Sequence, residues 1–110
     1  MITLHVYLTP KPGKNRELET AITDEWLEAM AEQPGFVRAV LLRPAPAEDL
    51  ARLGAARPGH AFEVIAFWRS EQERLAWVAR PVHDRVFKPV VALAASVSFT
   101  VQNVARGWKV

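Results

Sequence analysis

The stretch FEVIAFWRSEQERLAWV, Phe62 to Val78, changes character halfway. Its first seven residues are apolar, branched or aromatic apart from Glu63, which suits a strand. Ser70-Glu71-Gln72-Glu73 then has the spacing of a capping box, with Ser70 as N-cap and Glu73 reaching back. A short helix through Ala79 follows. A strand that turns directly into a helix, with Trp68 at the join and Trp77 nine residues on, fixes the local grammar of the chain.

Working outward, Ile2 to Thr9 alternates, with Ile2, Leu4, Val6 and Leu8 on one side and Thr3, His5, Tyr7 and Thr9 on the other. That period predicts a half-buried first strand. Pro10, Pro12 and Gly13 break it. From Lys14 to Gln33, Leu18, Ala21, Ile22, Trp26, Ala29 and Met30 follow a helical period, and Pro34-Gly35 ends the helix. Phe36 to Arg43 reads as the second strand and Phe62 to Trp68 as the third. Pro81 opens another helical piece carrying Val82, Val86 and Val90, which Pro89 is expected to disturb. Ala95 to Val104 alternates again as the fourth strand.

The order is βαββαβ, the ferredoxin-like α+β arrangement: a four-stranded antiparallel sheet with helices on one face. The other face would carry Tyr7, Phe67 and His5. An uncovered aromatic face points to association, so a homodimer with sheets packed face to face is expected. The segment 44–60, PAPAEDLARLGAARPGH, is long for a hairpin connection. It reads as an insertion in a single domain of 1–110, with at most a short helix over Ala47 to Leu53, near the pocket mouth or the dimer edge. The tail 105–110, with Trp108, is expected to reach onto the partner.

The totals narrow the function. The chain has 110 residues, half of them hydrophobic, enough for a core without staples. Without cysteine there is no disulfide, thiolate zinc site or cysteine nucleophile. A net charge of +2, with arginines scattered rather than clustered, argues against nucleic acid as partner. No apolar run has membrane-span length and the N-terminus lacks signal-peptide character, so a cytoplasmic protein with no membrane partner is expected. His5, His60 and His83 lack metal-ligand spacing, and phosphate loops and nucleophile elbows are absent.

Three motifs carry a resemblance: KPGK at 11–14 opening the first helix, PGF at 34–36 opening the second strand, and FWRSEQERLAW at 67–77. With them the layout resembles the antibiotic biosynthesis monooxygenase family, small proteins of the dimeric α+β barrel superfamily. The resemblance implies a pocket between the helices and the concave sheet. In members that oxidise polyphenolic polyketides it also implies chemistry without metal or flavin, so no cofactor is expected. There the deprotonated substrate itself reduces oxygen. Trp68 matches the tryptophan that closes the third strand in such members. Val64 stands where they place an asparagine, Arg74 where they place a tyrosine, and Lys88 near their pocket arginine. Haem-degrading members use a tryptophan matched by Trp77 and a histidine that falls near Phe87, one helical turn from His83.

The expected site is therefore a mostly apolar cavity for a small aromatic molecule. Trp68, His83 and Lys88 are its expected catalytic residues. Trp77, Phe87, Trp26 and Glu25 are its expected substrate-binding residues, with no metal. Histidine suits abstraction of a phenolic proton, and a lysine could orient the resulting anion. The alternatives are a non-catalytic dimer that binds a hydrophobic ligand or serves as an accessory protein, and a haem-degrading monooxygenase.

Overall fold

The structure, a computed structural model, describes residues 1–109. Strand β1 spans Ile2–Pro10. A continuous helical rod follows: α1 (Asn15–Thr20), a π-helical segment (Ala21–Trp26) and α2 (Leu27–Met30). Then come β2 (Phe36–Leu42), α3 (Ala47–Leu53), β3 (Phe62–Trp68), α4 (Glu71–Val78), α5 (Pro81–Leu93) and β4 (Ala94–Asn103). The four strands form one antiparallel sheet in the order β2-β3-β1-β4. This is the expected ferredoxin-like α+β fold.

One face of each central strand is buried. Ile2, Leu4, Val6 and Leu8 of β1 pair across from Trp68, Ala66, Val64 and Phe62 of β3, and all eight are buried under the helices. Against them the rod packs Leu18, Ile22, Trp26 and Met30. These four are spaced by four residues throughout. In an ideal α-helix such spacing drifts about 40° per step, because 3.6 residues make a turn. The wider turns over Ala21–Trp26 hold the row on the sheet, which is a physical reason for the π segment.

Two expectations need correction. Pro89 does not disturb its helix: α5 runs through it to Leu93, and Val86 and Val90 both stay buried. The loss is confined to the one hydrogen bond that proline cannot donate. The second face of the sheet is also only half apolar. Val40, Ile65 and Phe67 lie on its β2–β3 side, while Ser96, Ser98, Thr100 and Gln102 of β4 share a side with Thr3, His5 and Tyr7. His5 takes part in hydrogen bonds with Glu63 at 3.1 Å and with Thr3 at 3.0 Å.

The junction at the start of α4 is tightly built. The hydroxyl of Ser70 accepts the Glu73 N–H at 3.2 Å, which makes the N-cap, and donates to the Glu73 carboxylate at 3.0 Å, so Glu73 reaches back to the cap's hydroxyl. Beneath Glu73 lies Gly35, at φ +89°, a left-handed conformation that favours glycine. Its carbonyl accepts the Arg69 N–H at 2.8 Å. The PGF motif thus sets the height at which α4 sits on the sheet.

Candidate functional site: an aromatic cavity between helices and sheet

The helices cover β3 and β1 but leave much of β4 bare, so a cavity of about 330 Å³ opens beside them. Leu4 and Val6 form its floor with Val97 and Phe99 of β4. Phe99 belongs to the helix-side face, paired with Val6, yet is 65% exposed, which places it at the mouth. Trp26 and Met30 come from the rod, Arg74, Trp77 and Val78 from α4, and His83 and Phe87 from α5. Cavities of this size and apolar character suit a small ring system.

The walls form an aromatic relay. Trp26 and Phe87 have ring centroids 4.9 Å apart, Phe87 and His83 5.4 Å, and His83 and Trp77 5.1 Å, the last pair edge-on. His83 shares a 3.3 Å hydrogen bond with Asp84 through Nδ1, which leaves Nε2 for another partner. Arg74 is 9% exposed. Its Nε–H donates to Glu71 Oε2 at 2.9 Å and its Nη2 to Glu71 Oε1. The hydrogen bond from Arg74 holds the Glu71 carboxyl below the usual carboxylate range; burial opposes this and the arginine's charge adds to it.

Of the expected site residues, the fold brings Trp77, Phe87, Trp26 and His83 together around this cavity. It keeps three others away. Trp68 is fully buried but lies toward β2, edge-on to Phe36 at 5.7 Å, and does not line the cavity. The sheet order explains this: β3 is separated from β4 by β1, and the cavity opens on the β1–β4 side. Val64 and Ala66, on the same face of β3 as Trp68, are themselves fully buried in the core. Lys88 and Glu25 are exposed and point away from it. Arg74 takes the cationic place expected of Lys88. Its signal was readable: three residues before Trp77, it shares a helix face with that ring.

The segment 44–60 does not reach the cavity mouth. Together with Thr9, Asn15 and Phe62 it borders a separate open cleft of about 520 Å³, which shares no lining residue with the aromatic cavity. Its helix α3 buries no residue. His60, at the end of the segment, lies against Tyr7 on the second face, with ring centroids 4.8 Å apart. In the tail, Trp108 is 82% exposed and carries Arg106 over its ring; Val110 lies outside the described residues. Among the described residues no helix is long and apolar enough to cross a membrane, and no group of three metal-ligating side chains converges.

A family model described as antibiotic biosynthesis monooxygenase matches residues 1–89. Among solved structures, SnoaB, a cofactor-independent oxygenase from Streptomyces nogalater (in a mutant form), is 21% identical. That match covers 96% of this chain and 94% of that one, with a TM-score of 0.75. A dimeric ferredoxin-like protein of unknown function from Thermobifida fusca is 14% identical, covering 94% and 90%, with a TM-score of 0.71. At these identities the likeness shows the fold. No curated protein sequence matches.

Proposed function

This chain belongs to the antibiotic biosynthesis monooxygenase family, and on that premise we propose that it is a cofactor-independent monooxygenase acting on a flat phenol- or quinol-like molecule. The observation that carries this reading is the cavity itself, walled by Trp26, Trp77, Phe87 and Phe99, with His83 and Arg74 as its ionisable side chains. Stacking on such walls contributes about 0.5–1.5 kcal/mol per ring pair beyond burial.

The chemistry asked of the protein is modest. His83, through Nε2, takes one proton from the conjugated CH₂ of the substrate's keto form, the same proton that its phenol tautomer carries on oxygen, and leaves a phenolate-like anion with one hydrogen on that carbon. The resulting anion passes one electron to O₂, giving a substrate radical and superoxide. These combine at that carbon to form a C–O bond and a peroxide. The proton held by His83 returns to the outer oxygen. Removal of the second C–H proton then breaks the O–O bond and releases water. The net change is CH₂ + O₂ → C=O + H₂O, with all four electrons supplied by the substrate.

Oxygen uptake with a panel of anthrones and hydroquinones tests the reading. The expected result is enzyme-dependent uptake and a product that gains one labelled atom from ¹⁸O₂ and loses two hydrogens. Ring binding without uptake would overturn the oxygenase and leave a hydrophobic-ligand-binding protein.

We further propose that the protein works as a homodimer joined through the second face of the sheet. Its apolar half, Val40, Ile65 and Phe67, and the dimeric state of the Thermobifida neighbour support this.

A further inference from the structure

A guanidinium has five N–H donors and no acceptor, so donors not used within the protein remain open to a ligand. Arg74 spends two of its five on Glu71, through Nε and Nη2. Among the described residues no other side chain or carbonyl accepts from it. The Glu71 contact uses the side-on edge of the guanidinium. The end-on edge, one N–H from Nη1 and one parallel N–H from Nη2, is left over.

The two partners differ in exposure. The Glu71 side chain is 41% exposed, so its charge is screened by water, whereas that of Arg74 is 11% exposed. Arg74 lines the aromatic cavity and Glu71 does not. An anion entering from the cavity side therefore meets a cation that is less screened by water than an exposed arginine, and the attraction is correspondingly stronger. Two parallel N–H groups at fixed spacing match the two oxygens of a carboxylate; a phenolate offers a single oxygen.

We propose that Arg74 is a specificity-determining residue that selects aromatic carboxylic acids, receiving the carboxylate bidentately on its free edge while the ring lies against Trp77 and Phe87. The role of Glu71 is to fix the guanidinium plane by holding its other edge. This inference rests on the cavity being the substrate site, as in the proposed function, and adds the charge and shape of the group that anchors the substrate.

The test needs three ligands of one ring size: 2-naphthoate, 2-naphthamide and 2-naphthol. Their affinities for the wild-type protein are measured by quenching of tryptophan fluorescence, at an alkaline pH where the naphthol is ionised. We expect 2-naphthoate to bind about tenfold or more tightly than the amide, the scale of a charged hydrogen bond, and more tightly than the naphtholate. Arg74→Gln should bring naphthoate down to the level of the amide, and Arg74→Lys should restore only part of the loss. Equal binding of naphthoate and amide by the wild type would overturn the inference while leaving the cavity as a ring site. Naphtholate binding as tightly as naphthoate would overturn the bidentate assignment. Failure of all three to bind would remove the site itself, and with it the proposed function. The wild-type comparison stands even if the Arg74→Gln protein does not fold.

Discussion

Replacing Gly35 with alanine should cost far more than its size suggests. A Cβ built there would lie 2.5 Å from the Glu73 Cβ and 2.5 Å from its Cδ, inside any real contact distance. Because the Glu73 Cβ is tied to the backbone of α4, rotating the side chain does not relieve the overlap. Overpacking of this kind costs about 1–3 kcal/mol. The left-handed conformation at φ +89° adds about 1–2 kcal/mol for a residue with a side chain. Lower entropy of the unfolded alanine chain returns about 0.4–1 kcal/mol. The net loss is about 2–4 kcal/mol, or on the order of 10–20 °C in Tm for a chain of this length. Gly13 is the internal control. It too has positive φ, +76°, but nothing within 4 Å of its Cβ position, so Gly13→Ala should carry the backbone term alone, about 1 kcal/mol. Urea unfolding followed by circular dichroism measures both. Since Glu73 precedes Arg74, folded Gly35→Ala protein should also bind 2-naphthoate more weakly. Equal losses at the two glycines would refute the claim that contact between Gly35 and α4 sets the helix height.

Other consequences are as open to measurement. The Glu71 carboxyl is held below its ordinary value in the fold, so its stabilisation is whole above the unfolded value of 4.5 and vanishes as pH falls past the lowered one. Urea titrations should therefore show the gap between wild type and Glu71→Gln shrinking from neutral pH to about pH 3; a constant gap would contradict the ion pair. Replacing 44–60 with a short turn should preserve both the fold and ring binding, since α3 buries nothing and loop closure is cheap; an unfolded deletion variant would make the segment structural. Sedimentation at micromolar concentration should give a dimer mass, and Ile65→Glu on the second face should give a monomer; a monomeric wild type would refute the face-to-face dimer. Finally, Trp77→Ala should weaken naphthoate binding by about twofold to tenfold through lost stacking, whereas Lys88→Ala and Glu25→Ala should leave it unchanged.

The sequence by itself determined the elements and their order. Each strand and helix declares its period to its immediate neighbours, so Ile2 to Leu8, Phe62 to Trp68 and the Ser70 capping box could be read without knowing what they pack against. Trp77 and Phe87 were expected as cavity walls because the family resemblance implies a pocket between helices and sheet, not because of their period. Periodicity says that a residue is buried; it does not say beside what. Trp68 and Trp77 look alike in the sequence, yet the strand order β2-β3-β1-β4 sends one toward Phe36 and leaves the other beside the gap next to β4. That order arises from pairings between distant segments, as does the placing of Phe99 across from Val6. The same holds for charge. Lys88 and Arg74 are both cations near an apolar stripe, and only the packing of α4 and α5 on the sheet turned Lys88 to water and Arg74 to the cavity. Local propensity acts over a few residues, whereas a cavity is the space that several elements leave between them, and it exists only once they have been assembled.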